Sequence, residues 1–465
     1  MKVGRVSLLV LLFLTSVHSL FAADTQWEAA SGSVVITPAE PLWMAGYASR
    51  TKPANGKLHD LYAKILLLKD RDGRQLAVIT YDLIGIHPGW RDPILAEAKK
   101  QFGLGHESIL LNASHTHSGP ELRESNAQFY GGSAFAAKSR EYSKSLVTKT
   151  VGLIGSALKE LQPVTLTYSS ARAGFAMNRR LPTENGVKNS PYPDGPVDHR
   201  VPVLQVKTVD GKLKAVLFGY ACHNTTLGIQ KYNGDYAGFA QAFIEESNPG
   251  VTALFLNGCS ADQNPQPRRT VELAQQHGQA LANGVAVALQ TKFVRSINGP
   301  LKVAASNVVL KFAEPPSREE LNKRARSSSR YARRHAERLL KQLDMDGKIA
   351  TDHQFPLQVV QFGNDMTLVA ICGETVVDYS LRLQRELKVE DARPSAFHPK
   401  PPVWVSGYNN HVFGYLPSRR VLEEGGYEGG GAMTYTGYPG PFANDVEERV
   451  IKKIHELVRQ VRSTE

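Results

Sequence analysis

The feature that most restricts how this chain can fold is the alternation of short apolar runs with helical segments along nearly its whole length. Residues 61–69, 76–80, 108–111, 164–169, 201–207, 214–220, 252–256, 357–362 and 366–371 are brief apolar stretches bounded by turn residues. Runs of that length read as buried strands rather than helices. Residues 32–37 and 404–410 extend the same reading. Between them, residues 92–102, 142–161, 271–289, 376–387 and 445–461 read as helices. Gly363-Asn364-Asp365 joins two runs as a hairpin turn. No internal repeat is present. Strands alternating with helices predict an α/β fold of mixed β-sheets flanked by helices, as one large unit over residues 24–465. Residues 178–200, rich in Pro, Gly and Asn, predict a long irregular loop, a kind that is usually functional.

Residues 1–23 stand apart. Lys2 and Arg5 precede an apolar run over residues 6–14, and Ala22-Ala23 follow, the layout of a secretory signal peptide. The run is too short to span a bilayer, which takes about 20 residues. No later segment is apolar enough to do so. The expectation is an exported protein, periplasmic or secreted. Without Lys2 and Arg5 the formal charge falls from +11 to +9. Much of the excess lies between Lys323 and Lys341, where Ser317 and Glu320 form a capping-box pattern. This predicts a long exposed basic helix, part of an inserted element over residues 314–350. A solvated face is the expected role, and without interleaved aromatics nothing there points to nucleic acid. Cys222, Cys259 and Cys372 are expected to be small buried hydrophobes, with a disulfide or thiolate ligation as alternatives.

Chemistry concentrates at strand ends, where ligands gather in open α/β sheets. Ser114-His115-Thr116-His117-Ser118-Gly119-Pro120 follows one apolar run. Successive residues of an extended strand face opposite ways, so the two imidazoles can share an ion only if the chain turns, and Ser118-Gly119-Pro120 offers turn chemistry. His223 follows a second run, and a loop over residues 257–265 follows a third. Glu374 lies between a strand and a helix, predicted at the helix start where an anion is favoured. Tyr415 and Tyr427 flank a further polar loop. Two histidines and a carboxylate make a minimal divalent-metal set, with a further position for water or a weak ligand.

The 114–120 motif resembles the histidine motif of the neutral (non-lysosomal) ceramidases, whose catalytic domain is a zinc-dependent amidase. The order His-x-His, Asn-Arg, His, Gly-Asp, Gly-Glu and paired tyrosines is similar over residues 30–460. The resemblance implies Zn2+ held by His115, His223, Glu374 and Tyr415, with His117 beside it. It also implies an active-site arginine at Arg179 and a second tyrosine at Tyr427, twelve positions after Tyr415. Asp235 falls in the family's Gly-Asp motif, with no role attached. One departure stands out. Aligned on Asp262 and Pro265, the family's loop serine is replaced by Asn264, and an amide cannot act as nucleophile. The ceramidases also carry a C-terminal immunoglobulin-like domain, whereas this sequence ends soon after its last predicted helix.

The implied chemistry is attack by a metal-activated water on an amide of a small or lipid-like substrate. His117 would move the proton, Arg179 and Tyr427 would steady the developing charge, and Asn264 would bind. Ester or glycosidic bonds are the next candidates. The competing expectation is an exported binding protein that keeps fold and metal without chemistry.

Overall fold

The computed structural model describes residues 26–387 and 401–463, so the predicted signal peptide lies outside the described residues. The first half runs β1 (Trp27–Val35), β2 (Tyr62–Asp70), β3 (Gln75–Tyr81), α1 (Pro88–Phe102), β4 (Ile109–Ala113), α2 (Ser133–Lys159), β5 (Gln162–Arg172), β6 (Ala176–Thr183), β7 (Gly186–Tyr192), β8 (Arg200–Thr208) and β9 (Leu213–Tyr220). Next come α3 (Asp235–Ser247), β10 (Thr252–Asn257), β11 (Gln263–Pro265), α4 (Val271–Gln290) and β12 (Arg295–Ile297).

Eight of these strands form a path in the order β10-β9-β8-β5-β1-β2-β3-β4, with β12 added against β5. The pairs β3/β4 and β9/β10 are parallel, and the others are antiparallel. Side chains alternate between two buried faces. Ile65, Leu67, Ile79 and Leu111 meet Trp90 and Ile94 of α1 and Ile154 of α2. Val203, Val216, Phe218 and Phe255 meet Tyr236 of α3 and Leu281 of α4. Burial on both faces is why these strands read as continuous apolar runs rather than alternating ones.

The second half adds β13 (Leu301–Lys311), α5 (Arg318–Arg324), α6 (Arg330–Asp346), β14 (Asp352–Phe362), β15 (Met366–Ile371), β16 (Glu374–Thr375), α7 (Val377–Glu386), β17 (Val403–Ser406), β18 (Tyr415–Leu416), α8 (Arg419–Glu424) and α9 (Val446–Arg462). β13-β14-β15-β17 form a second sheet. Its Val360, Phe362, Leu368 and Ala370 pack on Leu66, Leu68, Leu110 and Leu254 of the first sheet. Val359, Val369 and Ile371 face the other way, onto Leu383 of α7 and Ile454 of α9. The layers are therefore helix, sheet, sheet, helix. The predicted hairpin between β14 and β15 is present.

Three local expectations are corrected. The supposed irregular stretch 178–200 contains the β6–β7 hairpin, and β11 joins the other edge of β6. No apolar alternation announces it, because β7 is mostly exposed and the inward side chains of β6 are Asn178, Arg179 and Arg180. The single basic helix is two helices. The Ser317–Glu320 capping box starts α5 as expected, but Ser329 caps a second start by accepting from the Ala332 N–H. Serines compete for backbone groups in this way, which ends a helix as readily as it starts one. Nor is α6 only a solvated face, since His335, Ala336 and Leu339 are buried. Finally, α3 was not assigned, because its buried side is built of small and polar residues such as Ala237, Ala240 and Gln241.

Candidate metal centre

The two edge strands of the large sheet come together at their C-terminal ends. The Asn257 N–H, at the end of β10, donates to Asn112 Oδ1 on β4 at 2.9 Å. Asn224 and Asn257 both donate side-chain N–H bonds to the Ser114 carbonyl. The segments leaving β4, β9 and β10 are thereby tied to one place. His115 follows β4 and His223 follows β9.

His115 has φ +64°, so the chain turns left-handed at the histidine itself, ahead of the turn expected at Ser118–Pro120. That reversal cancels the strand alternation, and His117 Nε2 lies 3.1 Å from His115 Nε2. Gly46 makes room for the second ring, since a Cβ there would lie 2.4 Å from His117 Cγ. Glu374 is not in a helix start. It lies on β16, paired in parallel with Tyr415 on β18, and α7 begins only at Val377. Gly373, with φ +73°, produces the bend that separates β15 from this short strand.

These side chains meet in a small volume. Glu374 Oε2 is 3.2 Å from His115 Nε2 and 3.5 Å from His223 Nε2. Tyr415 Oη is 3.4 Å from His223 Nε2. His115 Nδ1 faces the Ile84 carbonyl at 2.6 Å, and His223 Nδ1 faces the Ser260 carbonyl at 2.7 Å. A carbonyl can only accept, so Nδ1 carries the proton and Nε2 turns a lone pair inward, the arrangement of a metal-binding imidazole. Burial, followed by the Arg179 charge, pushes His223 down to about 3. Burial also pushes His117 well below the ordinary imidazole range. Neutral imidazoles are the form that ligates. His115, His117 and His223 each offer a ring nitrogen within 4.8 Å of the others, a group that could hold a metal ion. Glu374 Oε2 and His117 Nδ1 are buried without a hydrogen-bond partner, as expected where a cation and a proton acceptor belong.

The remaining predicted residues gather beside this cluster. A bulge between Asn178 and Arg180 re-aims β6, so both adjacent arginines point to Glu428. Arg179 Nε donates to Glu428 Oε1 at 2.8 Å, and Arg180 Nη1 donates to Oε2 at 2.7 Å. Arg179 Nη2 donates to Tyr415 Oη at 2.9 Å, and Nη1 donates to Asn264 Oδ1 at 3.2 Å. Burial alone would raise the Glu428 carboxyl, but Arg179 and Arg180 hold it below the ordinary carboxylate range. Tyr427 is 38% exposed at the mouth, its ring 5.2 Å from that of Tyr415. Asp235 caps the approach to α3 by accepting from the N–H groups of Thr226, Leu227 and Tyr236. That holds the loop following His223. Cys222, Cys259 and Cys372 are buried and unpaired.

Sequence reading missed Glu428, the carboxylate that fixes both arginines. It also missed Tyr408, whose ring lies 4.6 Å from that of His115. The Tyr427-Glu428 pair was visible only as part of the tyrosine motif. A cavity opens over the cluster, rimmed by Tyr47, Phe129, Tyr331, Tyr427 and Tyr435. Among the described residues no helix is long and apolar enough to cross a membrane.

Comparison with known proteins bears on the family and the fold. The model of the neutral/alkaline non-lysosomal ceramidase family, N-terminal part, matches residues 31–294. Neutral ceramidase A of Dictyostelium discoideum is 22% identical over 246 residues, covering 51% of this chain and 34% of that protein. The neutral ceramidase of Pseudomonas aeruginosa is 26% identical over 256 residues, covering 52% and 38%. The matched region thus spans little more than a third of each relative. The crystal structure of neutral ceramidase from Pseudomonas aeruginosa superposes with a TM-score of 0.72 at 20% identity, over 95% of this chain and 76% of that one. A ceramidase complexed with C2 gives a TM-score of 0.71 at 19% identity. With the fold and a family model matching more than half of its length in agreement, the chain belongs to the neutral/alkaline non-lysosomal ceramidase family.

Proposed function

We propose that this chain is an exported zinc-dependent hydrolase of N-acyl amide bonds. His115, His223, Glu374 and Tyr415 would hold the ion, and His117, Arg179, Asn264 and Tyr427 would act on the substrate. One observation carries the reading: the spacing of the donor atoms supports an ion of zinc's size. Zn–N and Zn–O bonds of about 2.0–2.1 Å put neighbouring ligand atoms of a tetrahedron about 3.3 Å apart. Three of the six separations in this set, Glu374–His115, Tyr415–His223 and Glu374–His223, are 3.2, 3.4 and 3.5 Å. Export rests on the Lys2–Ala23 leader pattern.

Bound in this cage, zinc supplies Lewis acidity and a water that ionises near neutral pH. The chain's own groups do the rest. His117, beside the ligands and with Nδ1 unengaged, takes a proton from the attacking water and returns it to the leaving amine. Burial raises the Tyr415 phenol well above its ordinary range, and Arg179, donating to its oxygen, offsets part of that rise. The Arg179 charge also faces the carbonyl oxygen as negative charge develops there. Asn264 does not attack. Its carbonyl accepts from Arg179 and from the Thr225 hydroxyl, so it orients the guanidinium. Tyr427 offers a phenol at the cavity mouth.

The absence of a loop hydroxyl at Asn264 favours a second reading, a binding protein that keeps the metal without turnover. A panel of N-acyl, ester and glycosidic chromogenic substrates separates the two. The hydrolase reading predicts N-acyl turnover that chelator abolishes and zinc restores, and a loss of at least about 100-fold in kcat for His117→Ala. Turnover on none of the substrates, or turnover indifferent to chelator, contradicts it.

A further inference from the structure

The cavity over the histidines adjoins a second groove. His87, Arg123, Val412, Phe413, Tyr435 and Thr436 line both. That groove also carries Arg140, Lys144 and Arg338, against the carboxylates Glu97 and Glu124. Glu124 is committed to Arg140 at 2.6 Å, and Lys144 has no carboxylate partner among the described residues. Arg338 is held over the groove from α6 by donation to the Thr436 carbonyl at 2.9 Å.

Arg123 stands at the junction. Its Nε and Nη2 donate to Oε1 and Oε2 of Glu121 at 2.8 and 2.6 Å, and its own backbone N–H donates to Oε1 at 2.9 Å. Glu121 is fully buried and also receives the Asn126 amide at 3.2 Å. The guanidinium is therefore locked edge-on, with Nη1 left without a partner among the described residues. It lines the same cavity as Glu374. Beside it, His87 Nε2 is buried without a hydrogen-bond partner on the same wall. A rigid guanidinium with an open N–H edge, next to an unsatisfied imidazole, is suited to an oxyanion.

We infer that Arg123 and His87, backed by Arg338, form a subsite for an anionic group on the amine portion of the substrate, a carboxylate or comparable oxyanion. This rests on the N-acyl hydrolase reading and names its substrate class: N-acyl amino acids and related acidic amides rather than amides with a neutral head.

Calorimetric titration of the full metal-stripped chain with N-hexanoylglycine and N-hexanoylethanolamine, which differ only in carboxylate against hydroxymethyl, tests it. One charge-assisted pair predicts about tenfold tighter binding of the glycine conjugate. The double variant Glu121→Gln, Arg123→Gln, which removes the buried charges together, is expected to bring the two within about twofold. Arg338→Gln, on the groove side of α6, is expected to cut the advantage about threefold. Equal affinities, no detectable binding of either compound, or an advantage that survives both variants overturns the subsite. Turnover by the zinc-loaded chain keeps the two readings apart. Preferential binding without turnover upholds the subsite and overturns the hydrolase, whereas turnover of both compounds without preference does the reverse.

Discussion

His115 holds a left-handed backbone that costs a non-glycine residue on the order of 1–2 kcal/mol. The return is that alternate residues of one strand exit face the same point. The His-x-His pair was readable from sequence as two imidazoles in need of a turn. The turn's place was not, because the Asn224 and Asn257 side chains that hold Ser114 come from segments more than 100 residues away. Glu428 was illegible for a similar reason, since its partners Arg179 and Arg180 lie 249 and 248 positions away. The carboxylate neutralises two buried cations, so its loss has a definite expected cost. Glu428→Gln can accept from one arginine only and turns an NH2 toward the other. Arg180 keeps Glu424 at 3.0 Å, so Arg179 is the cation left without a carboxylate, and stranding a buried charge costs about 3–5 kcal/mol. Urea unfolding of the metal-free variant should show a loss in that range, and a loss under about 1 kcal/mol contradicts the ion-pair account.

Among elements, those with apolar faces were legible and those with polar faces were not. β2, β3, β9, β10 and β15 fall where their apolar runs lie, and α1, α4, α7 and α9 follow their helical spacing to within a turn. The β6–β7 hairpin and α3 escaped notice because ion pairs, small residues and backbone hydrogen bonds hold them instead. The α5–α6 element gives an element-scale prediction. It is inserted between two strands already paired at Lys311 and Asp352, and the Phe312 N–H donates to the Thr351 carbonyl at 2.8 Å. A two-residue Asn-Gly turn in place of residues 313–350 therefore has a hairpin to close between Phe312 and Thr351. The shortened chain should unfold in one cooperative thermal transition and keep its metal, while losing Tyr331 from the cavity rim and Arg338 from the groove. Loss of the metal on this replacement contradicts the view that α5–α6 covers the site without building it.

At the scale of the whole molecule, apolar runs buried on both faces announced an α/β fold with mixed sheets. The strand order could not be read the same way. It places β4 and β10 at opposite edges of a sheet whose edges then meet, and that closure gathers the polar strand ends. The family resemblance anticipated the gathering, and the geometry supplies its physical cause. The central claim is that His115 and His223, 108 positions apart in the chain, serve one ion. Elemental analysis of zinc in the purified wild-type chain and in the double variant His115→Ala, His223→Ala tests that claim most directly. The account predicts about one zinc per chain in the wild type, the content of a mononuclear site, and almost none in a folded double variant. Undiminished zinc in the double variant contradicts it.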